Sequence, residues 1–504
     1  MRVQLLVLTL AALALQGCAS AGQSWRAGPA GIPAERQIRN DLVNGQYGSA
    51  LESLKDRKVA PADALLRHLY KGLIAVHAGQ SELGTRALDR AWQISYDRYT
   101  KRVGDGAQSM VTGEGALPYN VGPAERLMIP YYGGLNWLAR NERDEAAVEA
   151  RRMGVLLASD ASNSPNAEYM GFMRYISGVM FEVAGERNDA DVAYRNAAVL
   201  LNGRLPGDTV APDAEHGDVV ILIEDGFVAR PEPADLDFWV NDADVRELES
   251  RDMVVSQGAY RRAELRRGVQ RDWRAEHYRN VNLRWPVMLN GNPDAAAGAL
   301  GARAMRVAAG IELPVLGDPA AYGNIVIAHS VGTSVSDAVR ADFEREQPGR
   351  IARALARAAV REVTAKGAEG AFKAAGDVLS SDDDDDESSS DGKGGKGSKK
   401  DDGDEDDHSF AAAVVLAIIG VGLLAFHVGS QVLDQPDLRA WQVLPDRVSV
   451  SRMRLPVGEH VIEVTRNGEA YSLGTVTVKP GEVTVLVHRW WPGTTPVVAS
   501  TIQP

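Results

Sequence analysis

Leu65-Leu66-Arg67-His68-Leu69-Tyr70-Lys71-Gly72-Leu73-Ile74-Ala75-Val76-His77-Ala78-Gly79, continued by Gln80-Ser81-Glu82-Leu83-Gly84-Thr85-Arg86-Ala87-Leu88-Asp89-Arg90-Ala91, carries two apolar stripes on either side of one glycine. Leu65, Leu69, Gly72 and Ala75 recur at three- and four-residue steps, and so do Leu83, Ala87, Leu88 and Ala91. That spacing marks one face of an α-helix. With Gly79 between the stripes, the stretch predicts a helical hairpin. Just upstream, Ile38, Leu42, Gly45, Tyr47, Ala50, Leu51 and Leu54 repeat the arrangement, and Gly45 precedes Gly79 by 34 residues.

A 34-residue period with Gly at the turn and Ala-Leu on the second helix resembles the tetratricopeptide repeat. Each hairpin would need a neighbour to bury its stripe. A third follows an insertion over Ser95 to Gly122, through Leu127, Tyr131, Tyr132, Leu135 and Leu138, then Ala146, Ala147, Val148 and Ala150. The fourth carries Tyr169, Phe172, Tyr175, Gly178, Phe181, Gly185, Ala190, Ala193, Tyr194 and Ala197. Four such hairpins predict a short right-handed α-solenoid over residues 34–202, although a plain helical bundle would carry the same stripes. Tyr131, Tyr132, Tyr169 and Tyr175 would line its concave surface and offer partner-binding contacts.

Towards the N-terminus, Arg2 precedes an uncharged segment from Val3 to Leu15, the length of a signal-peptide core and too short for a permanent span. Leu15-Gln16-Gly17-Cys18 then resembles the lipobox of bacterial lipoproteins. The resemblance implies a signal peptide over 1–17, cleavage before Cys18 and a diacylglycerol on its thiol. Acyl chains contribute about 0.8 kcal/mol per buried CH₂, so several make a near-permanent anchor. Ala19 stands where Asp would favour inner-membrane retention, which points to the periplasmic face of the outer membrane. Residues 18–33, rich in Gly, Ala, Ser and Pro, read as a tether. Cys18 is the only cysteine of 504 residues, which excludes an intramolecular disulfide, a zinc-thiolate site or a thiol nucleophile beyond the anchor.

Downstream of the hairpins the pattern changes to a mixed α/β region over 203–379. Asp218 to Ile223 reads as a buried strand ended by Glu224-Asp225-Gly226, and Leu283 to Leu289 and Ile311 to Leu316 as two more. Helices resume at Ser336, a plausible cap, and Arg350, Arg353, Arg357 and Arg361 form a basic stripe that is either a solvated face or a surface for anionic lipid or glycan. Residues 380–409 are low complexity, with 13 Asp and Glu against 4 Lys; this net of −9 leaves only −4 of the total −13 for the rest of the chain. Such a segment reads as a disordered linker, and no basic face suggests nucleic acid. The uncharged run Phe410 to Leu433 is long enough to span a membrane or to lie buried against helices. From 434 to 504, alternating valines with Asn467-Gly468 and Lys479-Pro480-Gly481-Glu482 as turns resemble small PEGA-like β-sandwich modules. Trp490 and Trp491 are either a capping cluster of that module or a sugar- or membrane-contact surface. The fold class expected is therefore mainly α: a short TPR-like α-solenoid, a mixed α/β middle region and a C-terminal small antiparallel β-sandwich.

Glu125-Arg126-Leu127 to Tyr131-Tyr132, Leu135-Asn136, Glu149-Ala150-Arg151-Arg152, Glu224-Asp225-Gly226, Ala352 to Ala359, and Asp437-Leu438-Arg439-Ala440-Trp441 through Leu444-Pro445 together resemble a class of proteobacterial TPR-like lipoproteins. These are often encoded beside lipoprotein activators of penicillin-binding proteins. The class has no established activity, so the resemblance implies architecture and compartment rather than chemistry, and the acidic linker departs from its pattern. The enzymatic alternative is Ile325 to Gly332, where a strand into His329-Ser330-Val331-Gly332 resembles the nucleophile elbow of α/β-hydrolases, with Ala328 in place of the first Gly. Asp337 and His460 could complete a triad on Ser330, but no spacing selects them. The nine histidines are scattered, and neither a metal-ligand motif nor a Gly-rich phosphate loop occurs, so no cofactor and no metal are expected. The reading is a non-enzymatic outer-membrane scaffold. Its partners are the membrane, through Cys18, and an envelope protein, with peptidoglycan the partner in the alternative reading as a structural tether.

Overall fold

The computed structural model describes residues 33–55, 61–101, 118–160, 166–289 (save 249, 251, 268, 270 and 274–276), 330–355 (save 349 and 353), 437–491 (save 467–468) and 499–502. The signal peptide, Leu15, Gln16, Gly17, Cys18, the strand expected at Ile311 to Leu316, the acidic linker and the uncharged run Phe410 to Leu433 lie outside them.

Eight helices form four hairpins: α1 (Pro33–Val43) with α2 (Tyr47–Lys55), α3 (Ala64–His77) with α4 (Ser81–Lys101), α5 (Pro123–Leu138) with α6 (Arg143–Asp160), and α7 (Ala167–Val183) with α8 (Arg187–Leu200). All four turns close in one way. Gly45, Gly79 and Gly185 take positive φ, and Asn141 fills the same place with φ 57°. In each, the next residue's N–H reaches back five residues, as from Gln80 to Ala75 and from Glu142 to Trp137, the bond that satisfies the last carbonyls of a helix. Within the hairpins the helices approach through small residues. A Cβ on Gly72 would stand 2.6 Å from Leu88, and one on Gly178 would stand 2.6 Å from the Tyr194 ring.

The expected self-contained C-terminal sandwich is not what forms. β1 (His216–Asp225) pairs antiparallel with β5 (Arg447–Pro456) and parallel with β8 (Val483–Trp490). With β4 (Ser330–Ser334) and β9 (Ala499–Ile502) they make one sheet, ordered β4-β5-β1-β8-β9. The middle strand of the "module" thus comes from the region after the hairpins. Strands β6 (Gly458–Arg466) and β7 (Glu469–Val478) form a separate hairpin, as the Asn467-Gly468 signal anticipates.

β1 is buried along both faces. Val220 and Leu222, with Val448, Val450, Val485 and Val487, pack onto the helical arm in one large core. Val219, Ile221 and Ile223, with Leu486 and Trp490, pack under β6–β7 through Ile462, Leu473, Val476 and Val478. Period-two alternation assigns the two sets to opposite faces. The result is three layers: helical arm, shared sheet, hairpin. A smaller core joins the antiparallel pair β2 (Arg230–Val240) and β3 (Arg279–Leu289) to α9 (Asp242–Leu248), α10 (Met253–Arg267) and Ile351, Ala352 and Leu355. Among the described residues, no helix is long and apolar enough to cross a membrane.

Candidate functional site: the inner face of the helical arm

The concave face of an α-solenoid is its usual binding surface. Here the chain itself fills it. The segment Asp437 to Leu444, together with β1 and Trp491, lies against α1, α3, α5 and α7, and Trp441, Val443, Leu444 and Trp491 are buried in the arm's core.

Each contact is anchored by a polar group. Gln442 donates its amide to Glu35 at 2.8 Å, and the Gln442 N–H donates to the Tyr70 hydroxyl at 3.2 Å. That hydroxyl lies 3.2 Å from both Glu35 Oε1 and the Ala440 carbonyl. Arg439 bridges Asp437 and Asp63, each at 2.7 Å, and the two carboxylates hold its guanidinium above its ordinary value against the opposing effect of burial. The Trp441 N–H donates to Glu125, whose carboxyl burial raises despite that bond and those from Gly122 and Tyr119. Asp342, on the helix over 335–348 (α11), accepts from the Ala124 N–H at 2.7 Å and so adds a second carboxylate to Glu125, which accepts from the Gly122 N–H, at the N-terminus of α5.

Two knots tie the sheet to the arm. In the first, Glu224 is fully buried and accepts from Tyr131 at 3.0 Å and Tyr132 at 2.9 Å, with Arg489 at 3.3 Å and His77 at 3.4 Å. Burial alone would raise this carboxyl; the hydrogen bond and charge of His77, the charge of Arg489 and the Tyr132 hydroxyl outweigh it and hold it below its usual value. Arg489 also donates to the Gly226 and Val443 carbonyls and stacks 4.3 Å above Trp491. In the second, Arg452 of β5 grips Glu182 of α7 through two bonds of 2.8 and 3.0 Å and reaches Asp218 of β1. Arg454 holds the other oxygen of Asp218.

Several expected sites are corrected by this arrangement. Tyr131, Tyr132, Tyr169 and Tyr175 are each at most 1% exposed, so they are not groove-lining contacts for a partner. Tyr169 donates inward to the Ala124 carbonyl at 2.7 Å. Trp490 and Trp491 offer no contact surface either: they are buried on opposite sides of the sheet, Trp490 under the β6–β7 hairpin and Trp491 against the arm, where its indole donates to Tyr47. Ser330 does not stand at a strand-to-helix turn. It opens β4 opposite Ser451, and the strand continues to Ser334 before the helix starts. A nucleophile elbow needs the serine at the turn itself. The cap of α11 is Ser334, which accepts from the Asp337 N–H at 3.0 Å; Ser336, expected there, accepts instead from the Ala229 N–H. His460 lies on β6 with Nε2 2.7 Å from the Pro456 carbonyl. Of the basic stripe, Arg350 is half-buried and pairs loosely with Glu346; Arg357 and Arg361 lie outside the described residues.

The residues that matter most here escape a pattern search. Of His77, Glu224, Arg439, Arg452 and Arg489, three are marked by their setting: His77 follows Leu73 to Val76, Glu224 follows Val219 to Ile223 and Arg489 precedes Trp490 and Trp491. A polar group amid apolar residues is buried and so must be paired. Arg439 and Arg452 have charged residues two positions away, Asp437 and Arg454, and carry no such mark. Chemically, these groups neutralise one another and bind surfaces together. What they define is a helical-repeat arm closed around a sheet built from both halves of the chain. Neither a family model nor a curated protein matches the chain. Among solved structures, one titled MamA MSR-1 C2 is similar at 17% identity, over 34% of this chain and 96% of that one, with a TM-score of 0.15. A likeness that slight transfers nothing to this chain.

Proposed function

We propose that the protein is a non-enzymatic scaffold of the cell envelope, held at the periplasmic face of the outer membrane by lipid on Cys18, that receives an envelope protein on the outside of its helical arm. The observation that carries this reading is the occupied concave face. With Asp437 to Leu444 and the sheet filling it, recognition falls to the outer helices. There Val148 and Val155 on α6 are 39% and 63% exposed, and Val192 and Val199 on α8 are 47% and 77% exposed. Within each helix the two valines are seven residues apart, which puts them on one stripe.

Two readings weigh less. A tether to peptidoglycan loses the aromatic surface expected of Trp490 and Trp491, and a serine hydrolase loses the turn expected at Ser330. The test is photo-crosslinking in intact envelopes, with a photoreactive residue at Val155 or Val199. One protein adduct common to both positions, and absent from an exposed control at Val461, is expected. No adduct from either outer-face position would overturn the scaffold reading. Cys18→Ala should release the chain from membranes into the soluble fraction, and retention of that variant would sink the anchor.

A further inference from the structure

The uncharged run Phe410 to Leu433 separates the chain into two parts, and hydropathy alone would let it carry the second across a membrane. We infer that the described residues of 33–355 and those of 437–502 stand on the same side of the membrane.

The reason is hydrogen bonding between strands from either side of that run. β4, which precedes it, pairs through all five residues with β5, which follows it: Ser330 with Ser451 through Ser334 with Arg447. β1 lies between two later strands, in register with β5 over ten residues and with β8 over eight. The side chains agree. Arg439 and Asp63 are 2.7 Å apart, Arg452 spans Glu182 and Asp218, and Arg489 meets Glu224, each bringing a group from after the run to one from before it. The apolar core of a bilayer is about 30 Å thick. Groups 3 Å apart cannot face each other across it, and a crossing would strip both edges of β1 of their strands and take Asp63 from Arg439, Glu182 and Asp218 from Arg452, and Glu224 from Arg489. Hydropathy describes what the run can do alone; the shared sheet decides what the whole chain permits.

The inference does not depend on the lipid at Cys18 or on the scaffold reading, because it follows from the sheet alone. It sharpens both, since the arm, the sheet and the β6–β7 hairpin then share one compartment with any partner.

The experiment compares accessibility on the two sides of the run in the full chain. Val254 is 80% exposed on α10 and Val461 is 63% exposed on β6, so cysteine at either should leave the fold intact. Val254→Cys and Val461→Cys are made separately and treated with a membrane-impermeant maleimide, before and after permeabilisation of sealed cells or vesicles. Labelling of the unsubstituted chain is subtracted. The expected result is the same pattern at both positions: both labelled before permeabilisation, or both only after it, with yields within about twofold. A second pair, Val210→Cys and Val457→Cys, at positions 64% and 44% exposed, guards against a local effect at one site. Opposite patterns in both pairs, one position open from outside and the other only after permeabilisation, would overturn the inference.

Discussion

Glu224 illustrates how a single buried charge binds two parts of the chain. Its four partners come from α3, α5 and β8, so its removal leaves the Arg489 guanidinium without its carboxylate in an apolar setting. Breaking one member of a buried pair typically costs about 3–5 kcal/mol. Glu224→Gln should therefore lower stability by that order in denaturant unfolding, whereas Tyr131→Phe, which removes one bond to the carboxylate, should cost about 1.5–3 kcal/mol. Equal, small losses for both would show that the knot is not a unit. Glu149 behaves in the opposite sense. It is packed against Gly133 of α5 and bonded to Arg152 at 2.6 Å, yet burial raises its carboxyl to about 7. The folded value lies above the ordinary 4.5, so the neutral form is favoured by folding. Its contribution is fully present below about pH 4.5, is lost as pH rises to 7, and stays lost above. At about 1.4 kcal/mol per pH unit, the rise from 4.5 to about 7 makes the fall on the order of 3–4 kcal/mol. Glu149→Gln should flatten that part of the stability profile, measured by urea unfolding at pH 5, 6, 7 and 8. An unchanged slope would assign the pH dependence elsewhere.

At the scale of elements, the hairpins were legible because helix periodicity and turn glycine coincide: Gly45 and Gly79 mark both the 34-residue spacing and the positive φ of the turns. The third turn was harder, since Asn141 does the same work without a glycine. Asn tolerates the left-handed region better than other side chains, which pay about 1–2 kcal/mol there. Asn141→Ala should thus lower the melting temperature while Asn141→Gly leaves it level or raises it. Helix contacts differ in how they would yield. A Cβ at Gly134 would meet the end of Met180 at 2.3 Å, a flexible side chain that can swing aside. At Gly178 it would meet the Tyr194 ring at 2.6 Å, whose hydroxyl is held by Glu182 at 2.6 Å and Arg452 at 3.2 Å. Gly178→Ala should cost about 1–3 kcal/mol and Gly134→Ala clearly less; a reversed order would mean that the second knot does not fix Tyr194. The tyrosines mislead for a related reason. A stripe with Tyr131, Tyr132, Tyr169 and Tyr175 identifies the inner face of the arm, but periodicity cannot tell an open inner face from a filled one. Which chain fills it depends on pairings such as Tyr70 with Ala440, 370 residues apart, and no local pattern records those.

For the molecule as a whole, the sharing of one sheet makes its parts interdependent. Residues 437–491 supply Leu438, Trp441, Val443, Leu444, Val448, Val450, Val485, Val487 and Trp491 to the core that also holds α1 to α8. Without them the arm would expose its tyrosine-lined face, and Glu35 would lose the Gln442 amide, Asp63 the Arg439 guanidinium, Glu125 the Trp441 N–H and Glu182 the Arg452 guanidinium. Most repeat arrays bury each hairpin against its neighbours alone and so tolerate shortening from one end. This arm instead takes its second layer from the far end of the chain, through contacts of high sequence separation, which also predicts slow folding. A chain ending at residue 436 should therefore keep a helical far-ultraviolet signal but bind a hydrophobic dye and melt broadly, with its midpoint lowered by more than roughly 10 °C. The full chain should lose its near- and far-ultraviolet signals together in one transition over the arm and sheet. If the shortened chain melts as sharply and as late as the full one, the hairpins are self-sufficient. The inner face would then be a groove that the C-terminal segment merely visits, open to an extended peptide from a partner.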